Sequence, residues 1–295
     1  MTDSGASTDD VWTVQRILQW TTGYLQEKGV ESARLEAELL LAHARNCQRI
    51  QLYASFEDAL TDNERSLMRD FVKRRAAHEP LAYITGRKEF YGRDFLVGAG
   101  VLVPRPETET LVDVCLERIP KDGASTVCEI GFGSGCIAIT LARQRPNVRV
   151  LATDISETAA KFASENRAAH NVEDRVELFV GDKFAPLQTL GDVELDGIVS
   201  NPPYICEHEM AELSPDVRDH EPREALVSGI DGLDMVRQLT AEASRYLRPG
   251  GWLILEVDPA QCSEVANILK TRGYQNTKIH KDLFENDRIV ETTLA

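Results

Sequence analysis

The amino-acid sequence predicts an α/β fold in two parts, a small all-helical amino-terminal domain followed by a Rossmann-like domain built on a parallel sheet. Three observations support this fold class. The length of 295 residues is sufficient for about two domains, each with a core of its own. Apolar residues recur at helical spacing as far as Pro80. Beyond Pro80, short apolar runs alternate regularly with helical segments, which is typical of a parallel sheet with crossover helices.

The first 82 residues are predicted to form the helical domain. Ser32 is expected to cap one helix, and Thr61 with Glu64 has the spacing of a capping box. The basic segment 73–75 is interpreted as a solvated helix face, with a contact for an acidic or RNA-bearing partner as the alternative. The apolar stripes, which we expect in the core, contain Val11, Val14, Leu18, Leu25, Leu35, Leu39, Ala42, Leu67, Met68, Phe71 and Val72.

Residues 83–106 are predicted to form a β-hairpin linker, so that the second domain covers residues 107–295. The segment 90–97 alternates around Gly92 in the manner of a hairpin strand. Two prolines, Pro104 and Pro106, then force an extended lead-in to the next helix. Arg105 and the acidic residues after it are interpreted either as an ion cluster at a helix start or as one wall of an active cleft.

The second domain is expected to contain at least five strands and the helices between them. Strands are predicted at residues 126–130, 149–152, 176–180, 197–200 and 252–257, with two closing strands near 277–280 and 288–293. Helices are predicted at residues 137–143, 157–170 and 235–247, followed by a sharp turn at 248–251.

The stretch Asn201-Pro202-Pro203-Tyr204 directly follows the fourth of these strands, at the sheet edge where open α/β sheets bind ligands. The two prolines have no N–H, and Asn201 is held extended because it precedes a proline. The Asn201 side-chain oxygen and the Pro202 carbonyl are therefore suited to accept from one planar –NH2 group, with Tyr204 covering its face. A simple Pro-Pro turn that closes the strand is the alternative.

A glycine-rich loop follows the first strand, in the order Glu129-Ile130-Gly131-Phe132-Gly133-Ser134-Gly135. Glycines let a backbone approach a ligand closely, and nicotinamide and flavin enzymes use such loops too. Here the spacing is Gly-x-Gly-x-Gly and a carboxylate, Glu129, stands just before it. A carboxylate repels a pyrophosphate but attracts the α-amino group of a methionine moiety.

Acidic residues also end the second and third strands. Asp154 is placed to accept from two ribose hydroxyls, and Asp182 from an adenine amino group, with Lys183 and Phe184 lining the ring pocket. Taken singly, either aspartate has the alternative role of a helix cap. The three strand ends together favour S-adenosyl-L-methionine as the cofactor.

Composition and charge restrict the partners. A hydrophobic fraction of 42% with 27% charged residues is that of a soluble globular protein. The net charge of −15 would repel a phosphate backbone, so we expect no stable DNA binding. The six cysteines show no zinc-ligand spacing, which predicts free thiols and no metal. Residues 1–10 lack a signal-peptide core and no apolar run reaches membrane-span length, so a cytoplasmic location without membrane partners is expected.

Several motifs, taken together, resemble one known family. The sequence contains Pro-Arg-Pro-Glu-Thr-Glu at 104–109, the glycine loop, Asn-Pro-Pro-Tyr at 201–204 and Asn-Asp-Arg at 286–288. Asn-Pro-Pro-Tyr is shared with adenine-modifying enzymes, whereas the motif at 104–109 is much more specific. With these motifs the chain beyond residue 79 resembles the release-factor glutamine methyltransferases.

The resemblance implies a seven-stranded S-adenosylmethionine-dependent methyltransferase domain and an amino-terminal domain for substrate recognition. It implies methylation of the side-chain amide nitrogen, N5, of the glutamine in the Gly-Gly-Gln motif of peptide chain release factors. The expected catalytic residues are Asn201, Pro202 and Tyr204, and Pro203 joins them in holding the substrate. The expected cofactor-binding residues are Glu129, Ile130, Gly131, Phe132, Gly133, Asp154, Asp182, Lys183 and Asn201.

Three alternatives stay open at this point. A ribosomal-protein glutamine methyltransferase would share all of this chemistry. A nucleic-acid adenine-N6 methyltransferase would use the same acceptors but needs a phosphate grip that an acidic chain does not favour. A non-enzymatic adaptor with a relic fold predicts erosion of the glycine loop or of Asn-Pro-Pro-Tyr, and both are intact.

Overall fold

The computed structural model of the chain describes residues 11–295 and contains two compact units, one that ends at Gly86 and one from Arg87 to Ala295. The first unit therefore ends at Gly86 instead of at residue 82. The hairpin belongs to the second unit, and the role of residues 83–106 as a linker stays a prediction.

The first unit is all helical, as predicted. Its helices are α1 (Val14–Glu27), α2 (Ala33–Ala44), α3 (Arg49–Ala54), α4 (Asp62–Ala76) and α5 (Leu81–Thr85). The capping box of α4 is confirmed, because the Thr61 hydroxyl accepts from the Glu64 N–H at 3.2 Å and the Glu64 carboxylate accepts from the Thr61 N–H at 2.6 Å. Ser32 occupies the N-cap position of α2, as predicted, but its side chain makes no hydrogen bond to the helix.

The core stripe of α2 differs from the predicted one. Leu35 is 43% exposed and Val11, just before α1, is 49% exposed, so neither lies in the core. The residues of α2 that are buried are Ala33, Ala37, Glu38, Leu40, Leu41, Ala42 and Ala44. Within this set Ala33, Ala37, Leu40, Leu41 and Ala44 follow the helical repeat, which begins at Ala33 and leaves Leu35 on the opposite face.

The second unit begins with a β-hairpin, β1 (Arg87–Phe90) and β2 (Arg93–Leu96). Tyr91 and Gly92 at its turn both have positive φ, 53° and 69°, which is the conformation that two-residue hairpin turns favour. The hairpin packs on the domain that follows, because Asn166 Oδ1 accepts from the Leu96 N–H at 2.7 Å and Asn166 Nδ2 donates to the Leu96 carbonyl at 3.0 Å.

A seven-stranded sheet follows, with the spatial order β5-β4-β3-β6-β7-β9-β8. The neighbouring strands β5, β4, β3, β6 and β7 are parallel to one another, and β9 pairs antiparallel with both β7 and β8. The strands are β3 (Ser125–Ile130), β4 (Val148–Asp154), β5 (Val176–Val180), β6 (Leu195–Ser200), β7 (Leu247–Glu256), β8 (Gln275–Lys281) and β9 (Asp287–Thr293). All seven predicted strands are thus confirmed.

The helices of this unit are α6 (Thr108–Arg118), α7 (Cys136–Gln144), α8 (Glu157–Ala169), α9 (Pro215–His220), α10 (Asp234–Glu242) and α11 (Cys262–Thr271). No helix was predicted at α9 or α11, and α6 was predicted only as the helix that follows Pro106; α9 begins at a proline and has only six residues. The predicted turn at 248–251 is instead an irregular part of β7, where the pairing register with β6 shifts and Gly250 has a φ of 75°. Gly250 accommodates this bulge because glycine adopts a positive φ without strain.

Successive residues of the central strands point to opposite faces of the sheet, and each face has its own apolar core. Val127 lies in the core with α6, α7 and α8, whereas Cys128 lies in the core with α10 and α11. Gly197 has no alternative in β6, because a Cβ there would stand 2.0 Å from the Trp252 ring on β7. The strand order reverses between β3 and β6, since β4 and β5 extend the sheet on one side and β7 on the other. A crevice at the carboxyl ends of β3 and β6 is where such sheets bind ligands.

Candidate active site

A cavity of about 290 Å³ lies at this switch point, wholly within the second unit. Its walls come from the loop after β3, the end of β4, the loop after β5, the loop after β6 and the segment that leads into α6. Of the predicted site residues, eleven line it: Glu129, Ile130, Gly131, Phe132, Gly133, Asp154, Asp182, Lys183, Asn201, Pro202 and Pro203. The site therefore contains residues from four separate strand ends.

The glycine loop is held open on its cavity side. Gly131 and Gly133 have φ values of 79° and 51°, and a Cβ on either would meet no atom within 4 Å. The Gly131 N–H donates to the Thr153 carbonyl at 2.7 Å, and the Gly133 N–H donates to Asp154 Oδ2 at 2.8 Å. The loop thus leaves space beside the cavity that an L side chain would fill.

Glu129 is a fully buried carboxylate with one unused oxygen. Its Oε2 accepts from the Ala138 N–H at 2.8 Å, and its Oε1 has no hydrogen-bond partner among the described residues. Burial raises the pKa of Glu129 well above its usual range and the Asp154 carboxylate raises it further, whereas the Ala138 N–H lowers it. An unsatisfied buried acceptor is costly, so a cationic donor bound here would relieve that cost.

Asp154 fixes the geometry of the loop as well as facing the cavity. Its Oδ2 accepts from Gly133 and its Oδ1 from the Ser156 N–H, both at 2.8 Å. Burial raises the pKa of Asp154, and these two N–H groups lower it. Each carboxylate oxygen can accept a second hydrogen bond, so both remain able to take a hydroxyl.

The residues after β5 differ in part from the prediction. Asp182 and Lys183 line the cavity and form an ion pair with each other. Phe184, predicted to line the ring pocket, is fully buried and stacks on Tyr246 with ring centroids 4.9 Å apart. It is not among the cavity residues, because the backbone turns at Lys183, where φ is 47°, and directs the ring into the core.

Asn201 presents a free side-chain oxygen at the cavity. Its Nδ2 donates to the Thr108 hydroxyl at 3.2 Å, and no donor in residues 11–295 bonds to its Oδ1. The Pro202 carbonyl likewise accepts no hydrogen bond from the described residues. The two acceptors predicted for a planar –NH2 group are therefore both unoccupied by protein donors.

Tyr204, like Phe184, does not line the cavity. Its side chain lies beside Glu256, and burial, followed by that carboxylate, raises its pKa to about 12. The Tyr204 carbonyl accepts from Gln261 Nε2 at 2.9 Å, and Gly232 packs so closely that a Cβ there would stand 2.1 Å from that carbonyl oxygen. These contacts fix the Tyr204 backbone, and the role of the Tyr204 ring at the substrate stays a prediction.

The segment that leads into α6 also contributes to the site, with Arg105 as one of the two interpretations predicted and Thr108 as a residue that was not predicted. Both line the cavity, and Arg105 donates to both oxygens of the buried Glu221 at 2.8 and 2.7 Å. Burial raises the pKa of Glu221, and Arg105 lowers it. The motif at 104–109 therefore forms a wall of the cavity, the sharper of the two interpretations. Glu256 was not predicted either. It lies next to Asn201 at the sheet edge because β6 pairs with β7, and that strand pairing is the feature that could have located it.

The described residues show neither a metal-binding cluster nor a membrane-spanning helix. Residues 11–295 contain no cluster of three or more potential metal ligands, and all six cysteines in that range are free. No helix in the same range is long and apolar enough to cross a bilayer.

The seven-stranded sheet and the glycine loop at its switch point define the protein as a Rossmann-like methyltransferase. Residues 108–217 match the family described as "Methyltransferase small domain", and residues 16–86 match the "PrmC N-terminal domain". A solved methyltransferase from Pyrococcus furiosus has the same fold, with a TM-score of 0.51 and 20% identity over 70% of this chain and 91% of that one.

Curated relatives define the family. A release factor glutamine methyltransferase from Geobacter sulfurreducens is 44% identical over 95% of this chain and 96% of its own length. Another, from Rhodopirellula baltica, is 42% identical over 98% of this chain and 99% of its own length. The chain belongs to the release factor glutamine methyltransferase family.

Proposed function

We propose that the protein methylates the side-chain amide nitrogen, N5, of the glutamine in the Gly-Gly-Gln motif of peptide chain release factors, with S-adenosyl-L-methionine as the methyl donor. The observation that carries the proposal is the orientation of Asn201. Its NH2 group is held by Thr108, so the free groups at the cavity are two acceptors, Asn201 Oδ1 and the Pro202 carbonyl. A primary amide offers two N–H donors on one planar nitrogen, which matches this pair.

The cavity residues fit the proposed cofactor. Glu129 Oε1 is a buried acceptor in need of a donor, which suits the α-ammonium group of the methionine moiety. Gly131 and Gly133 leave room for a close approach, and Asp154 keeps acceptor capacity for ribose hydroxyls. Asp182 and Lys183 lie at the adenine end in this assignment, with Ile130 and Phe132 as apolar wall. When bound, S-adenosylmethionine supplies an electrophilic methyl group.

The residues around Asn201 act on the glutamine amide. An amide nitrogen is a poor nucleophile because its lone pair is delocalised into the carbonyl. Accepting both N–H groups at Asn201 Oδ1 and the Pro202 carbonyl orients the nitrogen and stabilises the positive charge that develops on it. Fixed orientation of the two reacting groups supplies much of the remaining acceleration. Proton loss follows methyl transfer, so no strong general base is needed.

Two other substrates use similar chemistry. An adenine amino group would meet the same acceptors, but the net charge of −15 opposes a nucleic-acid substrate. A glutamine in a ribosomal protein is chemically equivalent, but the relatives named for release factors favour a release factor as the substrate. In this proposal the helical unit recognises the protein substrate, and the enzyme acts in the cytoplasm, where release factors work.

The test separates cofactor binding from methyl transfer. Asn201→Ala removes one acceptor and is expected to bind S-adenosylmethionine within about threefold of wild type while methyl transfer to a release factor falls by about 100-fold or more. Asn147→Ala, at an exposed asparagine, is the matched control and should leave both unchanged. Binding is measured by calorimetry and transfer with labelled cofactor. Wild-type turnover by Asn201→Ala would refute the proposal.

A further inference from the structure

The loop after β6 returns to the cavity after a long excursion. Residues 206–226 leave the carboxyl edge of the sheet and come back beside it, because the Ile205 backbone pairs with residues 226–228 through hydrogen bonds of 2.9 and 3.0 Å. On the return, Pro222 and Ala225 line the cavity. The far end of this loop is therefore part of the cavity wall.

An ion pair ties the return of the loop to the segment that leads into α6. Arg105 Nη2 donates to both carboxylate oxygens of Glu221, at 2.8 and 2.7 Å. The side chain of Glu221 is 2% exposed and that of Arg105 is 30% exposed. The carboxylate is thus enclosed by protein, whereas Arg105 lines the cavity.

The same segment also holds Asn201, at the start of the loop. Thr108 lies three residues beyond Arg105 and accepts from Asn201 Nδ2 at 3.2 Å. Burial raises the pKa of Tyr204 to about 12, and the Arg105 guanidinium is close enough to oppose that rise. The guanidinium therefore lies near the acceptor loop that is proposed to hold the substrate amide.

The cations in the cavity wall are both paired with carboxylates. Among the described residues that line the cavity these cations are Arg105 and Lys183, and they pair with Glu221 and Asp182. Methyl transfer moves a positive charge across this cavity, from a sulfonium to the amide nitrogen. An unpaired cation in the wall would repel that charge, since two charges across a partly enclosed cavity interact more strongly than they do in water.

We propose that Glu221 is a positioning residue with an electrostatic role: it holds the Arg105 guanidinium in the cavity wall and cancels its charge beside the sulfonium and the reacting amide nitrogen. The inference rests on the proposed function, because the charge concerned is that of the methyl donor. Glu221 touches neither the cofactor nor the substrate in this role. Removing its negative charge acts on the bound cofactor through Arg105.

Two ligands of nearly the same shape separate this charge effect from a change in cavity shape. S-adenosylmethionine carries the sulfonium charge, and S-adenosylhomocysteine lacks that charge together with the methyl group. A loosened loop would weaken the binding of both ligands, because Pro222, next to Glu221, lines the cavity. An unbalanced Arg105 would weaken the binding of the charged ligand more.

Glu221→Gln keeps an oxygen that accepts from Arg105 Nη2 but removes the negative charge. We expect its affinity for S-adenosylmethionine, measured by calorimetry, to fall about three- to tenfold more than its affinity for S-adenosylhomocysteine. The kcat/KM for S-adenosylmethionine, with a release factor as the methyl acceptor, should fall by at least the same factor. These measurements are made at alkaline pH, because burial raises the pKa of Glu221 despite Arg105 and the carboxylate must be ionised.

Two variants at Arg105 complete the test. Arg105→Gln combined with Glu221→Gln removes both charges, so the ratio of the two affinities should return to that of the wild type. Arg105→Gln alone leaves an unbalanced carboxylate, which attracts the sulfonium and should shift the ratio in favour of S-adenosylmethionine.

Glu212→Gln is the matched control. Glu212 lies in the same loop but is exposed and does not line the cavity. The substitution removes the same charge from the chain, so it should leave the ratio of the two affinities unchanged. The melting temperature of each variant shows whether the fold is kept.

The outcomes are distinguishable. Equal losses of affinity for the two ligands in Glu221→Gln would overturn the electrostatic role. An affinity ratio that stays low in the double variant, that does not shift in Arg105→Gln, or that falls as far in Glu212→Gln would also overturn it. A wild-type protein that binds S-adenosylmethionine but methylates no release factor would refute the proposed function instead.

Discussion

Replacing Glu129 with glutamine tests how the cavity holds the cofactor. In the wild type, Glu129 Oε2 accepts from the Ala138 N–H at 2.8 Å and Oε1 is buried without a partner. A glutamine keeps one carbonyl oxygen. If that oxygen accepts from the Ala138 N–H, the new NH2 group points at the α-ammonium group of the cofactor. If the oxygen instead accepts from the ammonium, the NH2 group points at the Ala138 N–H. In either arrangement two hydrogen-bond donors point at each other.

The size of the effect follows from the charge. A hydrogen bond to a charged group is worth about 1.5–3 kcal/mol, so Glu129→Gln should weaken S-adenosylmethionine binding by about 10- to 150-fold. An analogue of S-adenosylhomocysteine without its α-amino group is the control, since it makes no bond to Oε1. The variant should bind that analogue as the wild type does.

The raised pKa of Glu129 adds a signature in the wild type. Below that pKa the free protein carries a proton on Glu129, and an ammonium at Oε1 requires it to leave. Binding should therefore release a proton, and affinity should fall by about tenfold per pH unit below the pKa of the free protein. Calorimetry in buffers of different ionisation enthalpy measures the release. Equal affinity of Glu129→Gln and wild type for S-adenosylmethionine would refute this account.

Two further substitutions test the loop around the cofactor. In Asp154→Asn only one of the two N–H groups from Gly133 and Ser156 keeps an acceptor, so cofactor affinity measured by calorimetry should fall at least about tenfold. Asp182 is exposed, so Asp182→Asn should lower cofactor affinity by less than about fivefold. Gly133→Ala strains a backbone φ of 51° by about 1–2 kcal/mol and places a methyl group beside the cavity. The loss of cofactor-binding free energy should therefore exceed the loss of folding stability that the melting temperature reports. Gly135→Ala, with its Cβ 3.0 Å from Ile139, should lower the melting temperature more and affinity less, and the reverse order would contradict the assignment.

Much of the fold and site could be predicted because the informative residues lie at strand ends. Apolar runs of strand length locate β3 to β7, and the carboxyl ends of parallel strands meet at one edge. Glu129 and Asp154 lie at the ends of such runs and Asn201 directly follows one, so the local sequence was sufficient to predict that they meet at one cavity.

Other features depend on which way a side chain turns after its strand ends. Phe184 was expected to line the ring pocket, but a positive φ at Lys183 directs its ring into the core. Tyr204 does not line the cavity, and its role at the substrate stays a prediction. Glu256 and Asn201 lie far apart in the chain, and only the pairing of β6 with β7 brings them side by side.

Locating the transferred methyl group tests the proposed reaction most directly. The protein is incubated with labelled S-adenosylmethionine and, in parallel, with a release factor, with ribosomal proteins and with DNA, and each product is analysed by mass spectrometry. We expect one added methyl group on the side-chain nitrogen of the glutamine in the Gly-Gly-Gln peptide of the release factor. Label found only on a ribosomal protein or on adenine would contradict it.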